Sequence, residues 1–92
     1  MMIRHVRILI EGLVQGVFFR DYTRTKAQSL NLNGIVKNLQ NGSVEINAQG
    51  QTSEIELLIQ WCWEGSPLSK VKDVRVEELV KEEGISSFSI RY

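Results

Sequence analysis

Residues 6–31 read Val6-Arg7-Ile8-Leu9-Ile10-Glu11-Gly12-Leu13-Val14-Gln15-Gly16-Val17-Phe18-Phe19-Arg20-Asp21-Tyr22-Thr23-Arg24-Thr25-Lys26-Ala27-Gln28-Ser29-Leu30-Asn31, and the hydrophobic period changes partway along them. Val6, Ile8 and Ile10 alternate with His5, Arg7, Leu9 and Glu11. A period of two predicts a half-buried strand ending near Glu11. Gly12 and Gly16 then bracket a loop unusually apolar for its kind, so its side chains are expected to pack inward while the backbone turns. From Arg20 the spacing becomes helical: Phe19, Tyr22, Thr23, Ala27 and Leu30 share one stripe. Asn31-Leu32-Asn33-Gly34 supplies residues that tolerate a left-handed helix exit, which bounds the first helix at roughly Arg20 to Asn31.

Downstream, Ile35–Leu39 and Val44–Ala48 are two β-like runs joined around Asn41-Gly42, a strong hairpin signal. A second helix is predicted to open at Ser53 with Glu56 at the capping-box spacing. Its apolar stripe is Ile55, Leu58, Ile59 and Cys62, flanked by Trp61, and Gly65 with Pro67 stops it. Trp61 and Trp63 cannot both face the core, so one covers an edge. Val74 and Val76 alternate with Asp73, Arg75 and Glu77 in a fourth strand; Gly84 breaks the chain before Phe88, Ile90 and Tyr92 alternate with Ser89 and Arg91. This order, strand–helix–strand–strand–helix–strand plus a short terminal strand, predicts an α+β fold. Two right-handed crossovers around a hairpin put both helices on one face of a mostly antiparallel sheet, the ferredoxin-like α/β plait (βαββαβ). Residues 1–92 are expected to form one domain.

Composition narrows the function. Eleven basic and eleven acidic side chains cancel. A general nucleic-acid binder draws most of its affinity from neutralised phosphates and shows a basic excess, so no nucleic-acid partner is expected. The lone cysteine, Cys62, can form neither an intramolecular disulfide nor a thiolate-rich metal site, and no histidine–carboxylate cluster suggests a metal. The charged start, Met1-Met2-Ile3-Arg4-His5-Val6-Arg7, is no signal peptide, and the apolar runs are too short to span a bilayer. A cytoplasmic protein without membrane association, cofactor or obligate protein partner is expected.

The Gly12–Arg20 segment carries the chemistry. A glycine loop feeding a helix start aims unpaired N–H groups at one point, where the helix dipole also favours an anion. Arg20 offers a planar, permanently charged fork for two phosphate oxygens. The same composition also fits an ordinary strand–helix connection with a solvated arginine. Asn38 shares parity with Val36 and so points toward the core side. It is either a sheet amide tied to a backbone group or a carboxamide holding a water against a substrate.

Gly12-Leu13-Val14-Gln15-Gly16-Val17-Phe18-Phe19-Arg20 resembles the signature G-x-V-Q-G-V-x-F-R of the acylphosphatase family. Gly34-Ile35-Val36-Lys37-Asn38-Leu39-Gln40-Asn41-Gly42-Ser43-Val44 is similar to its second signature, G-W-V-x-N-x-x-D-G-x-V, and the likeness extends to the late Gly65-Ser66-Pro67 turn. The resemblance implies hydrolysis of small-molecule acyl phosphates to a carboxylate and inorganic phosphate. It implies catalytic roles for Arg20 and Asn38, with backbone N–H groups of Leu13, Val14, Gln15, Gly16, Val17, Phe18 and Phe19 cradling the phosphoryl oxygens. Leu13, Ile35 and Asn41 depart from frequent family choices (a basic residue, an aromatic and an aspartate) without removing a catalytic group. The competing reading is a non-catalytic anion- or small-molecule-binding regulatory domain on the same plait. Elsewhere, His5 is expected at the surface, Cys62 in the core, and Asp21 as a solvated carboxylate of the helix's first turn.

Overall fold

The structure, a computed structural model, describes residues 2–92; Met1, first of the charged N-terminal run, lies outside them. Seven elements follow in the order expected: β1 (Ile3–Leu13), α1 (Phe19–Ser29), β2 (Asn33–Asn38), β3 (Val44–Gln51), α2 (Thr52–Glu64), β4 (Lys70–Leu79) and β5 (Phe88–Arg91). They form one five-stranded sheet in the order β4-β1-β3-β2-β5. The β1/β3, β1/β4 and β2/β3 pairs are antiparallel, and β5 joins β2 in parallel. This is the ferredoxin-like plait, extended at one edge by β5.

The core lies between the helices and one face of the sheet. Val6, Ile8 and Ile10 of β1, Val36 of β2, and Val44, Ile46 and Ala48 of β3 are all fully buried there. Thr23 and Ala27 of α1 and Ile55, Leu58 and Cys62 of α2 close on them. Phe19 and Trp61 join the two helices, their ring centroids 5.5 Å apart and tilted by 50°. Burying an aromatic ring of this kind contributes about 1.5–3 kcal/mol. Trp61 is thus the inward tryptophan, and Trp63 is exposed. Tyr22, expected on the buried stripe of α1, is instead half-exposed.

β1 runs beyond Glu11 because its register with β4 shifts between Glu11 and Gly12. Only glycine fits that bulge: φ is 128°, and a Cβ at Gly12 would sit 2.2 Å from the Lys70 carbonyl oxygen. The bulge interrupts strict alternation, so the strand's end was not visible in its period. α1 begins one residue earlier than expected and closes through Leu30, whose N–H bonds the carbonyls of Lys26 and Ala27, before Asn31 turns left-handed at φ 57°. The β2–β3 connection closes with Leu39 N–H donating to the Ser43 carbonyl and Asn41 Oδ1 accepting from Ser43 N–H.

Two expectations fail for tertiary reasons. Ser53 does not cap α2: the N-cap is Gln51, without a side-chain cap bond. Glu56 pairs instead with Arg4, which also binds Glu78 on β4. A residue that reaches across to a guanidinium cannot fold back onto its own helix terminus. His5 is not a surface residue either. It lies on the sheet face opposite the helices, as alternation requires, yet it is only 4% exposed. The β4–β5 connection folds over this face: Nδ1–H donates to the Val80 carbonyl at 2.7 Å, and Nε2 lies 3.0 Å from Asn47 Oδ1. Gln49 clamps the same segment, accepting from Glu82 N–H and donating to its carbonyl, both at 2.8 Å. Nothing periodic in residues 80–87 announced that covering.

Candidate active site

The bulge at Gly12 turns the chain off the sheet edge, and the loop that follows returns it to the first turn of α1. Val14 and Phe19 are buried and anchor the loop at either end, whereas Leu13 and Phe18, expected to pack inward, are 53% and 67% exposed. Two side chains pin the loop to other parts of the fold. Gln15 Nε2 donates to the carbonyls of Leu39 and Ser43 at 2.8 and 2.9 Å, tying the loop to the β2–β3 hairpin. Ser66, in the turn after α2, donates from Oγ to the Val17 carbonyl at 2.8 Å. Neither contact was anticipated; the only signal for Gln15 was a polar side chain amid apolar neighbours. Gln15→Ala should lower unfolding free energy by about 1–3 kcal/mol, from the loss of two hydrogen bonds of about 0.5–1.5 kcal/mol each, while both carbonyls keep a backbone donor. A urea titration measures this. An unchanged midpoint would show that the loop is held without the Gln15 contacts.

Between loop, helix and sheet lies a cavity of about 230 Å³ bordered by Val14, Gly16, Phe18, Phe19, Arg20, Asp21 and Asn38. That is below the ~300–1,000 Å³ of pockets for drug-sized ligands, and suits a phosphoryl group with a small appendage. Leu13, Gln15 and Val17 are not among its bordering residues. Leu13 ends β1 opposite Lys70. Gly16 turns left-handed at φ 76°, and a Cβ there would meet no heavy atom within 4 Å.

Phe18, the N-cap of α1, is left-handed at φ 62° and ψ 24°, and no side chain caps the helix. For a bulky L-residue this conformation costs about 1–2 kcal/mol. The opening N–H groups of α1 thus have no side-chain acceptor, and Phe19, Arg20 and Asp21 at this terminus all border the cavity. An anion fits there electrostatically. The Arg20 guanidinium carbon sits 4.8 Å from the ring centroid of Tyr92, a cation–π contact worth about 0.5–1 kcal/mol at an exposed site. Sequence reading gave no hint of this pairing.

Asn38 lies on the helix-facing side of β2, as its parity with Val36 required. Its Oδ1 is buried and has no hydrogen-bond partner among the described residues. The alternative of a sheet amide satisfied by a backbone group is therefore disfavoured. Asp21 is exposed and contacts Arg24 at 3.4 Å. Cys62 is fully buried in the core, and burial pushes its thiol up, keeping it protonated. No group of three or more His, Cys, Asp or Glu residues suited to a metal ion occurs among the described residues. No helix among them is long and apolar enough to cross a membrane.

The acylphosphatase family model matches residues 6–90. An acylphosphatase of Shewanella amazonensis is 46% identical over 87 residues, covering 95% of this chain and 96% of the relative. The crystal structure of acylphosphatase from Bacillus subtilis matches with a TM-score of 0.93 at 41% identity, covering 99% of this chain and 100% of that one. An acylphosphatase structure from Coxiella burnetii matches with a TM-score of 0.92 at 44% identity, covering 97% and 93%. With both signature segments meeting at one cavity and relatives this similar over nearly the whole length, the chain belongs to the acylphosphatase family.

Proposed function

We propose that this chain hydrolyses acyl phosphates, mixed anhydrides of a carboxylic acid and phosphate, using Arg20 and the Gly12–Arg20 loop to hold the phosphoryl group and Asn38 to orient water. The observation that carries this reading is the buried, unpartnered Oδ1 of Asn38 bordering the same cavity as Arg20. An orphaned buried acceptor is costly, by about 1–3 kcal/mol, and is kept where a ligand or water supplies the donor.

The chemistry needs little more. A water O–H donates to Asn38 Oδ1, which leaves an oxygen lone pair aimed at phosphorus. The water–phosphorus bond forms as the phosphorus–acyl oxygen bond breaks, and the electron pair departs with the carboxylate. That leaving group is weakly basic, so no general acid is required. A loose transition state puts charge on the equatorial phosphoryl oxygens, where Arg20 and the N–H groups at the start of α1 stabilise it. An amide is too weak a base to keep the water's proton, which passes to a phosphate oxygen or to solvent. A chain belonging to this family, with both side chains at one small cavity, supports that division of roles.

The test is release of inorganic phosphate from benzoyl phosphate by the full chain, with and without a strong chelator. Comparable release in both arms is expected. No release, or loss on chelation that a specific divalent ion restores, would overturn the proposal.

A further inference from the structure

In-line displacement fixes the direction of the leaving group relative to the attacking water. With water held at the buried Asn38 Oδ1, in-line geometry sends the acyl group away from Asn38. Of the apolar residues bordering the cavity, Val14 and Phe19 are buried, and Phe18 alone is exposed. Phe18 is also placed at a cost that its packing does not repay. Its backbone is left-handed, a conformation suited to glycine or asparagine, and its side chain is 67% exposed rather than in the core. Strain of this kind persists at functional positions.

We propose that Phe18 is the acyl-side specificity residue, an aromatic platform that favours aromatic acyl phosphates over acetyl phosphate. This rests on the acylphosphatase reading above. A flat ring against the Phe18 face gains stacking and apolar burial that a methyl group cannot match. The preference therefore belongs to a side chain rather than to the phosphate cradle.

The experiment compares kcat/KM for benzoyl phosphate and acetyl phosphate in wild type, Phe18→Asn and Phe18→Tyr, with thermal melting of each. Asparagine tolerates the left-handed backbone, so Phe18→Asn should melt no lower than wild type. Its benzoyl-to-acetyl ratio should fall by about tenfold, while Phe18→Tyr should keep the wild-type ratio. An equal fall for both substrates in Phe18→Asn, or an unchanged ratio, overturns the platform and leaves the acylphosphatase reading standing. A lower melting temperature for Phe18→Asn with an unchanged ratio would make Phe18 structural. Wild type that hydrolyses neither substrate overturns the acylphosphatase reading and this inference with it.

Discussion

Asn38→Ala should give a folded protein that still binds inorganic phosphate and turns over almost no acyl phosphate. The side chain is proposed to hold water rather than phosphate, so its loss removes an interaction used mainly in the transition state. Losing a group that positions the nucleophile costs on the order of a hundredfold or more in kcat. Stability should not fall in step. Asn38 Oδ1 has no hydrogen-bond partner among the described residues, so truncation strands no acceptor or donor at that atom. Removing a buried, unsatisfied acceptor is neutral or stabilising. The measurements are kcat with benzoyl phosphate, the inhibition constant of inorganic phosphate, and the urea midpoint. A folded variant with normal turnover would make Asn38 a plain strand residue and end the water-orienting mechanism. Equal losses of turnover and phosphate affinity would move Asn38 into the phosphate cradle instead.

Arg20→Ala should abolish both functions together. Inorganic phosphate shares the cradle with the substrate and is expected to inhibit wild type competitively. A guanidinium fork supplies two charge-assisted hydrogen bonds of about 1.5–3 kcal/mol each, so phosphate inhibition should weaken by roughly a hundredfold or more. Turnover should fall by on the order of 10²–10³ as well, because the same fork stabilises charge that grows in the transition state. Arg20→Lys should rescue little, since an ammonium is a point charge without bidentate geometry. The fold should be nearly indifferent. A cation in the first turn of α1 opposes the helix dipole by about 0.3–1 kcal/mol, which offsets the contact with Tyr92 that the substitution removes. Near-normal phosphate inhibition in folded Arg20→Ala would contradict the assigned role.

The placement of both residues was legible in the sequence, for different reasons. Asn38 was readable through parity: alternation along β2 forces it onto the face of Val36 whatever the rest of the chain does. Arg20 was readable through the change of period from strand to helix, which places it at a helix start. That its charge meets the ring of Tyr92 was not readable, because the two residues are far apart in sequence and adjoin only after β5 pairs with β2.

Element order, the helix-facing side of each core strand, the β2–β3 hairpin and the left-handed exit at Asn31 were determined by the sequence itself. Each depends on a backbone period or a local dihedral preference acting over a few residues. Tertiary structure alone decided the burial of His5 beneath residues 80–87, the pairing of Glu56 with Arg4 rather than with its own helix terminus, and the staples from Gln15 and Ser66. It also turned Phe18 outward, although a run of apolar residues suggested the reverse. A period states which way a side chain points from its own element. What it meets there depends on the segment that folds across it, and the connections that do so here carry no period to read.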